Sequence, residues 1–439
     1  MDRTRDEAAM QTKLTLIAEI ARRDHRAKIN NVAYLLNEAN LKECFGLLKK
    51  GKATGTDGVG IQEYGKALDE NLKDLVARMK RQAYKPQPVR RTYIPKANGK
   101  LRPLGIPSTE DKIVQVGLAR ILEAIYEGEF LDFSYGFRPG RNCHQALAQL
   151  NTVIMKKPVN YVIDADIKGF FDNVSHAWMM KFLGHRISDP NLLRLIARFL
   201  KNGYLEEGKV HESDKGTPQG GIVSPILANV YLHYALDLWV ERVVKPRCRG
   251  VVELVRYADD FVICAQYKGE AERILEVLKK RLGKFNLELA EDKTRIIEFG
   301  RFARTNANTR GEKPKTFNFL GFTHFVDASR KGFFKLGRKT DRKKLIAKLK
   351  EMNLWFKSKR DIPVKEWWPV LKAKLAGHFR YYGVSGNSRS IGTFYYLTVR
   401  MVIKWLNRRS QRKSMNWDAF SSYLRRHELP KPRICHALY

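Results

Sequence analysis

The stretch Leu254-Val255-Arg256-Tyr257-Ala258-Asp259-Asp260-Phe261-Val262-Ile263-Cys264 contains two short β-prone runs that meet at an acidic turn. Apolar residues on both sides predict a β-hairpin with Asp259 and Asp260 at its tip. Packed strands would make this turn rigid, as a pair of metal-binding carboxylates requires. Adjacent aspartates are also ordinary turn chemistry, because Asp tolerates turn dihedral angles and is well hydrated. The hairpin alone therefore does not distinguish a metal site from a turn.

A further acidic position lies upstream, at the end of the predicted strand Tyr161–Ile167. Asp166 would be fixed there by its aliphatic neighbours. Carboxylates on rigid strands suit magnesium, which prefers oxygen ligands. Two divalent ions about 3.5–4 Å apart promote in-line displacement at phosphorus by a hydroxyl group. Asp164 and Asp172 compete with Asp166 for this role, and spacing alone does not separate the three.

The charge of the chain is strongly positive and unevenly spread. The formal net charge is +36 over 439 residues, and residues 301–439 contain 33 Lys and Arg against 8 Asp and Glu. Such an excess favours a polyanionic partner, and nucleic acid is the leading class, because binding to phosphates releases condensed counterions. A solvated basic face kept for solubility is the alternative. Residues 1–300 resemble a moderately basic enzyme, and the last 139 resemble a polyanion-binding module.

The remaining pattern predicts a mixed α+β region followed by helices. Residues 1–50 have helical apolar spacing, and residues 91–107 alternate around an Asn98-Gly99 turn that is typical of a hairpin. Residues 224–240 again predict a helix. Residues 301–316 are polar and predict a loop, whereas the pattern from about 340 onward is mostly helical.

Membrane and secretory signals are not visible in the sequence. No run of about 18 apolar residues appears, and the first residues lack the apolar core of a secretory signal. The five cysteines are scattered and form no Cys-x-x-Cys pair, which indicates a reducing compartment and argues against a zinc site. We therefore expect a cytoplasmic protein with no membrane partner.

Several ordered blocks of sequence give these features a family context. The blocks are Gly55–Val59, Ile94–Lys96 with Arg102–Pro107, Ser134–Pro139, Asp166–Val174, Gly216–Gly221, Tyr257–Asp260, Leu289–Lys293, Phe319–Phe322 and Gly377–Val384. Together they resemble reverse transcriptases and are most similar to bacterial group II intron reverse transcriptase–maturases. The resemblance covers about residues 40 to 410, and its specificity comes from the order of the blocks, since a lone Tyr-x-Asp-Asp would not be specific.

The resemblance implies an α+β right-hand polymerase followed by an α-helical thumb/maturase domain. A helical extension would occupy residues 1–50, the fingers and palm 51–300, and the thumb/maturase (X) domain 301–410. Residues 411–439 would form a short basic tail, interpreted as a reduced DNA-binding segment. No His/Asn/Cys (HNH) endonuclease module is visible, so we expect priming from a nick or a replication fork.

The family also implies which carboxylates bind metal. Asp166, Asp259 and Asp260 match its catalytic metal ligands, with the Ile167 carbonyl as a further ligand. They would hold two Mg²⁺ ions, for which Mn²⁺ is a substitute. On this basis Asp164 and the nearby Asp172 have structural roles.

The nucleotide-binding positions implied by the family each have a simpler alternative. They are Lys96, Arg102, Phe171, Gln219 and Lys293. Lys96 and Arg102 would hold the triphosphate, but they also suit an exposed basic hairpin. Phe171 would clash with a 2′-hydroxyl and favour dNTPs, or it is a core residue. Gln219 lies in a glycine-rich turn near the nucleotide or in a plain helix-entry loop, and Lys293 protonates pyrophosphate or is a surface lysine.

The basic C-terminal region resembles the RNA-binding part of the family. Expected RNA contacts are Arg338, Lys339, Lys343, Lys344, Arg380, Arg408 and Arg409. Aromatic residues lie between these cations and can stack on unpaired bases, although many of them should be helix core. Basic residues are therefore the stronger predictions for RNA contact.

We expect an RNA-directed DNA polymerase that also assists intron splicing and mobility. Its partners would be group II intron RNA, an RNA template with a DNA primer, dNTPs and target DNA. Formation of a homodimer stays open. Two alternatives remain: a domesticated enzyme serving phage defence, CRISPR adaptation or repair, and an RNA chaperone with an inactive polymerase fold. Intact Asp166, Asp259 and Asp260 favour an active enzyme over the chaperone.

Overall fold

A computed structural model of the chain describes residues 2–95, 101–212, 214–217, 220–409 and 415–438. The helices are α1 (Asp2–Arg23), α2 (Glu38–Gly46), α3 (Ile61–Tyr64), α4 (Leu68–Lys80), α5 (Thr109–Tyr126), α6 (Cys143–Lys156), α7 (Phe170–Asn173), α8 (His176–Leu183), α9 (Pro190–Lys201), α10 (Ser224–Leu232), α11 (Lys268–Lys284), α12 (Ala303–Thr309), α13 (Arg342–Ser358), α14 (Val364–Tyr382), α15 (Ser388–Leu406) and α16 (Trp417–Arg426). The strands are β1 (Val89–Pro95), β2 (Leu101–Ile106), β3 (Tyr161–Asp166), β4 (Tyr204–Glu206), β5 (Lys209–His211), β6 (Val252–Tyr257), β7 (Asp260–Ala265), β8 (Arg295–Glu298), β9 (Phe317–Phe319), β10 (Phe322–Ala328) and β11 (Phe334–Thr340).

The central sheet is antiparallel, with strand order β6-β7-β3-β8. Its two faces pack into different hydrophobic clusters, because successive side chains of a strand point to opposite faces. On β3, Ile163 lies in the first cluster, with the N-terminal helices, and Val162 lies in the second, with α6 and strands β9–β11. Asp166 is four residues from Val162, so the two side chains share a face of β3. Asp260 is two residues from Val262, which also lies in the second cluster, so these two side chains share the corresponding face of β7. Both carboxylates therefore belong to the face that packs toward β9–β11.

The N-terminal helices are part of the main body. α1 and α2 both contact α5, and their apolar residues lie in the first hydrophobic cluster. Asp189 ties this segment to α9. One carboxylate oxygen accepts hydrogen bonds from Asn191 N and Leu192 N as the helix N-cap, and the other accepts from Val32 N at 2.7 Å and Ala33 N at 2.8 Å. A single buried side chain thus serves four backbone donors.

The second sheet has the strand order β2-β1-β4-β5. β1 and β2 pair in antiparallel register, which confirms the predicted hairpin. Its Asn98-Gly99 turn lies outside the described residues. β4 adds to β1 in parallel, and the guanidinium of Arg91 lies 3.7 Å from the ring centroid of Tyr204 across this junction. The predicted helix at 224–240 is also confirmed, although it passes into π-helical turns after Leu232.

Residues 301–340 differ from the predictions. The predicted loop at 301–316 was wrong for Ala303–Thr309, which form α12. The region expected to be α-helical also contains the small sheet, in the order β11-β10-β9. Phe317, Phe319 and Phe322 are almost fully buried in the second cluster, so this alternating run forms strands. The helical pattern predicted from about 340 is confirmed by α13 to α16.

Residues 342–426 form a helical region with its own hydrophobic cluster, the third. Its core includes Trp367, Trp368 and Phe420, the last of which belongs to α16 and is fully buried. The ring of Trp368 lies 5.2 Å from that of Tyr423. Residues 411–439 were expected to form a separate tail, but α16 belongs to the helical region.

A strap, residues 427–438, runs from the helical region back to the main body. The amides of Cys435 and His436 donate to the Gly383 carbonyl at 2.7 and 3.0 Å. The His436 ring stacks on His144 of α6 at 3.6 Å between centroids. Leu438 is buried in the second hydrophobic cluster. The strap therefore joins the helical region to the helix that covers the central sheet.

The helices of the described ranges carry no membrane-spanning segment, since none is both long and apolar enough to cross a bilayer.

Candidate active site

The acidic residues predicted as catalytic meet at one end of the central sheet. Asp166 on β3 lies directly opposite Asp260 on β7, so their Cβ atoms are separated by about 5 Å. Asp259 lies in the turn between β6 and β7, next to Ala258, whose φ of 57° is left-handed. Cross-strand register thus brings Asp166 to the tip of the hairpin.

The electrostatics of this cluster show an excess of negative charge. Burial, followed by the neighbouring Asp259 carboxylate, raises the pKa of Asp260 to about 7. Burial also raises the pKa of Asp259; Asp166 adds to this rise, and the positive charge of Arg102 opposes it. Carboxylates that resist ionisation in this way are stabilised by added cations.

Lys293 supplies one cation to the cluster. Its Nζ lies 2.5 Å from Asp166 Oδ2, and this contact raises the pKa of Lys293. The Lys293 amide donates to the Ala290 carbonyl, and the Ala290 amide donates to the Asp166 carbonyl. A short turn bonded to β3 therefore places Lys293 at the site.

Of the other predicted nucleotide-binding residues, the structure describes Arg102 and Phe171. Arg102 is exposed on β2, and its charge acts on Asp259. Lys96 and Gln219 lie outside the described residues. Phe171 is half-buried, and its carbonyl accepts a hydrogen bond from Thr217 N at 2.7 Å. The structure thus joins Phe171 to the glycine-rich block that leads to Gln219.

Gly216, at the start of the glycine-rich block, lies close to the Phe171 backbone. A Cβ on Gly216 would lie 2.9 Å from the Phe171 carbonyl oxygen, and Gly216 has a φ of 87°. Both the contact and the conformation favour glycine at this position.

The Ile167 backbone also has a defined orientation. The Asp166 carbonyl points to the side of β3 on which β8 lies, because it accepts a hydrogen bond from Ala290 N. Because alternate residues of a strand direct their carbonyls to opposite sides, the Ile167 carbonyl points toward the Asp259 turn. Its side chain is buried. This geometry suits the predicted backbone ligand.

Asp164 lies on the same face of β3 as Asp166 but is separately partnered. Its carboxylate lies 3.4 Å from Arg295, across the β3–β8 pair. Asp172 lies in the first turn of α7, six residues after Asp166 and beyond the end of β3. The strand register therefore pairs Asp166 with Asp260, and it pairs neither Asp164 nor Asp172 with Asp260.

Leu320 is a site residue that the sequence reasoning missed. The Leu320 backbone donates a hydrogen bond to Asp260 and opposes the rise in its pKa. Leu320 lies between β9 and β10 with a φ of 49°, and its carbonyl accepts from the Tyr381 hydroxyl at 3.1 Å. The Phe319–Phe322 block is conspicuous in the sequence, but no local pattern indicates that Leu320 contacts a residue 60 positions away.

The residues present fit divalent cations by their chemistry. The side-chain donors are all carboxylate oxygens, which magnesium prefers, and their pKa values indicate mutual repulsion. As they stand, no three His, Cys, Asp or Glu side chains of the described ranges are gathered closely enough to hold one ion. Asp166 is bound to Lys293 and Asp260 to Leu320, so rotation of the carboxylates would be needed to bring their oxygens together.

The expected RNA contacts divide into exposed and internal residues. Lys339, Lys343, Lys344, Arg380 and Arg408 are exposed on β11 and the helical region.

Two of the expected contacts face inward. Arg338 is only 1% exposed and donates to Asn151 Oδ1 at 2.6 Å, so its prediction as an RNA contact was wrong. Strand alternation turns Arg338 inward and Lys339 outward. Arg409 is half-buried and donates to the carbonyls of Lys359 and Ile362, which indicates a structural role.

Comparison with known proteins agrees with this architecture. The family model described as reverse transcriptase (RNA-dependent DNA polymerase) matches residues 94–324. The chain is 31% identical to the group II intron-encoded protein LtrA of Lactococcus lactis subsp. cremoris, covering 83% of this chain and 72% of LtrA. It is 36% identical to protein YkfC of Escherichia coli (strain K12), covering 57% of this chain and 74% of YkfC.

A more distant relative is the mitochondrial nuclear intron maturase 3 of Arabidopsis thaliana. It is 24% identical, and the match covers 64% of this chain and 41% of the maturase. The family match spans the central sheet with its acidic turn, and the similarity to LtrA extends over most of the chain. The chain therefore belongs to the group II intron reverse transcriptase–maturase family.

Proposed function

We propose that this chain copies RNA into DNA by extending a DNA primer. The observation that carries the proposal is the placement of Asp166 opposite Asp260, with Asp259 in the adjoining turn. The central sheet would serve as the palm, the β1–β2 hairpin as part of the fingers, and the helical region as the thumb. Membership in the family supports this assignment.

Each residue of the site would have a distinct task. Asp166, Asp259, Asp260 and the Ile167 carbonyl would hold two Mg²⁺ ions, which neutralise phosphate charge and favour ionisation of the primer hydroxyl when bound. Lys293 would leave Asp166 and donate a proton to the departing pyrophosphate. Its contact of 2.5 Å shows that it reaches the site.

The nucleotide would lie between the hairpin and the central sheet. Arg102, whose charge already acts on Asp259, would bind the triphosphate together with Lys96. Phe171 and Gln219 would lie beside the sugar, with the Phe171 ring excluding a 2′-hydroxyl. Replacement of Phe171 by Ala should raise incorporation of ribonucleotides relative to deoxyribonucleotides. Unchanged selectivity would remove Phe171 from this role.

Primer extension on poly(rA)/oligo(dT) tests the carboxylate assignment. We expect the wild-type chain to extend the primer and the Asp259→Ala/Asp260→Ala variant to be inactive. Asp166→Asn should be similarly inactive, whereas Asp164→Asn is the matched control, since it removes a charge from the same face of β3. Equal losses in both β3 variants would refute the selective role of Asp166, and activity of the double variant would refute the metal site.

We also propose that the chain binds group II intron RNA and assists its splicing. The exposed cations on β11, α13 and α14 and just after α15 support this proposal, together with the charge of residues 301–439. Binding to RNA should weaken as salt increases, because phosphate contacts release counterions. The bound ribonucleoprotein would then act on target DNA by target-primed reverse transcription.

Salt titration distinguishes phosphate contacts from general charge. Replacing Lys339, Lys343 and Lys344 by Gln should reduce the slope of log binding constant against log salt by about 2–3. A control replaces Lys268, Lys279 and Lys280 of α11, which pair with glutamates. An equal change in both variants would show that only net charge matters and would contradict the proposed surface.

Splicing assays separate the two activities. At near-physiological magnesium, splicing of a cognate intron should require the chain and should persist in the Asp259→Ala/Asp260→Ala variant. Wild-type polymerisation without any effect on splicing would favour the domesticated enzyme. Splicing assistance without wild-type polymerisation would favour the RNA chaperone.

A further inference from the structure

A fully buried arginine lies directly behind the acidic turn. Arg256 precedes Tyr257 on β6, and its side chain has no exposed surface. Its Nε and Nη2 bind the two carboxylate oxygens of Asp237 at 2.7 and 2.5 Å. Asp237 is also fully buried. This pair is therefore a bidentate contact shielded from solvent, the geometry in which Arg differs most from Lys.

The remaining donors of Arg256 reach three separate segments. Nη1 donates to Asn229 Oδ1 at 3.1 Å and to the Ala258 carbonyl at 2.9 Å, and Nη2 donates to Ser134 Oγ at 2.7 Å. A guanidinium has five N–H donors, and all five are used here. Arg256 thus joins the acidic turn to α10, to the segment before α6 and to Asp237.

The turn itself depends on these contacts. Ala258 has a left-handed backbone conformation, which costs an alanine free energy, and Arg256 binds its carbonyl. On the opposite side, a Cβ on Gly136 would lie 2.3 Å from Ala258 N. The Asn229 side chain, which accepts from Arg256, also donates to the Gly136 carbonyl at 2.7 Å. The same network therefore holds Gly136 on one side of Ala258 and Arg256 on the other. Asp259 follows Ala258 immediately.

Asp237 is presented from an unusual helical turn. The chain between α10 and β6 passes through the π-helical turn His233–Asp237, and Asp237 is its last residue. A π-turn is wider than an α-turn and is frequent at functional sites. The widening changes the angular position of the residues that follow, so it can direct an acidic side chain into the core beneath the hairpin.

The energetics argue against a purely stabilising role. Burial raises the pKa of Asp237, and the charge of Arg256 opposes that rise. Exchanging a buried ion pair for apolar residues of similar size is often neutral or stabilising. Removing both charges together therefore need not cost stability, so the geometric role of this pair can be tested separately.

We propose that Arg256, oriented by Asp237, is a positioning residue that fixes the Ala258 carbonyl and thereby the direction of the Asp259 carboxylate. The inference rests on the proposed polymerase function for its kinetic consequence. Arg256 does not contact the reacting atoms, since it is buried behind the turn. Its effect passes through the hydrogen bond to the Ala258 carbonyl and the following peptide unit, in addition to the direct action of its charge on Asp259.

The test compares variants that differ in charge and shape. Arg256→Met/Asp237→Leu removes both charges and leaves an apolar pair. Arg256→Lys keeps the charge but cannot supply five donors. Arg186→Met is the matched control, because Arg186 is 2% exposed and donates to the carbonyls of Ala21 and Asp24, outside the hairpin.

Two readouts are needed, one kinetic and one structural. For the double variant we expect kcat for primer extension to fall about 100-fold, with little change in KM for the dNTP. Amide hydrogens of peptide 251–265 should exchange at least tenfold faster, while peptides of the helical region exchange as in the wild type. Arg256→Lys should show both effects more weakly, and Arg186→Met neither.

The outcomes separate this inference from the proposed function. Wild-type kcat and exchange in the double variant would overturn the positioning role. If that variant does not fold, Arg256→Lys decides, and wild-type values for it overturn the inference. An equal loss of kcat and hairpin protection in Arg186→Met would show general destabilisation and would also overturn it. If the wild-type chain does not polymerise, the proposed function fails, and the exchange measurement still tests whether Arg256 holds the turn.

Discussion

Asp189 offers a sharp test of how the N-terminal segment is attached. One of its oxygens caps α9 through Asn191 and Leu192, and the other accepts the amides of Val32 and Ala33. Replacing Asp189 by Asn should keep the cap, since Asn is a good N-cap residue. The new NH₂ group would face two N–H donors, so both bonds to the N-terminal segment would be lost.

The expected size follows from these contacts. Hydrogen bonds to a charged group contribute about 1.5 kcal/mol or more each, so losing two should weaken local closure by about 3 kcal/mol. One tenfold change corresponds to about 1.4 kcal/mol. The amides of Val32 and Ala33 should therefore exchange about 100-fold faster with solvent. In Asp189→Ala, the first amides of α9 should also lose protection.

Hydrogen exchange measured residue by residue gives the readout. Asn416→Ala, which removes the N-cap of the remote α16, is the control and should leave Val32 and Ala33 unchanged. Normal exchange of these two amides in Asp189→Asn would refute the reasoning.

The pH dependence of this attachment has a definite sign. Burial raises the pKa of Asp189, but the bonds from four backbone amides outweigh it and hold the pKa below the usual value. A lowered folded-state pKa means that the stabilisation is present above the unfolded pKa and is lost as the pH falls through the folded value. The attachment should therefore be insensitive to pH between 5 and 8 and weaken only below about 4.

Three further outcomes follow from single contacts. Gly136→Ala should reduce primer extension about 100-fold, because its Cβ would displace Ala258, whereas Gly377→Ala, with no atom within 4 Å, should not. Burial, then the charge of Arg256, lowers the pKa of His233 to about 3. The unfolded chain therefore binds a proton at His233 more readily than the folded chain, and the free energy of unfolding decreases as the pH falls below the unfolded pKa of His233. His233 should account for about 2 kcal/mol of the loss between pH 7 and 5 in urea unfolding, and His233→Gln should reduce the loss by that amount, while the share of the buried His324 and His378 remains. Asn142→Ala should cost the N-terminus of α6 about 1 kcal/mol, measured by amide exchange in its first turn.

Local patterns predicted the acidic hairpin but not the choice of its partner. Apolar runs on both sides of Asp259 suffice for a hairpin, because short runs rich in β-branched and aromatic residues favour buried strands. Asp164 and Asp166 are two residues apart and share a face of β3, so spacing could not separate them. Only the register with β7 places Asp166 opposite Asp260.

Long-range contacts account for the errors elsewhere. A run of cations suggested an exposed surface, yet strand formation buries Arg338 while leaving Lys339 exposed. α12 has only Ala303 and Ala307 buried, so its sequence lacks the broad apolar stripe that predicts a helix. The contact between Leu320 and Asp260 requires the small sheet to pack on the central sheet, which no local pattern specifies.

The strap brings the chain back from the helical region to the main body. The chain enters the helical region from the small sheet and returns through His436 and Leu438, which lie against α6 and the second hydrophobic cluster. The helical region is also held between these two ends, where the Tyr381 hydroxyl donates to the Leu320 carbonyl and Asn387 Oδ1 accepts from Thr340 N. Contacts along this line restrict the swing of the helical region away from the main body, and severing the strap would release its far end while the entry from the small sheet stays fixed.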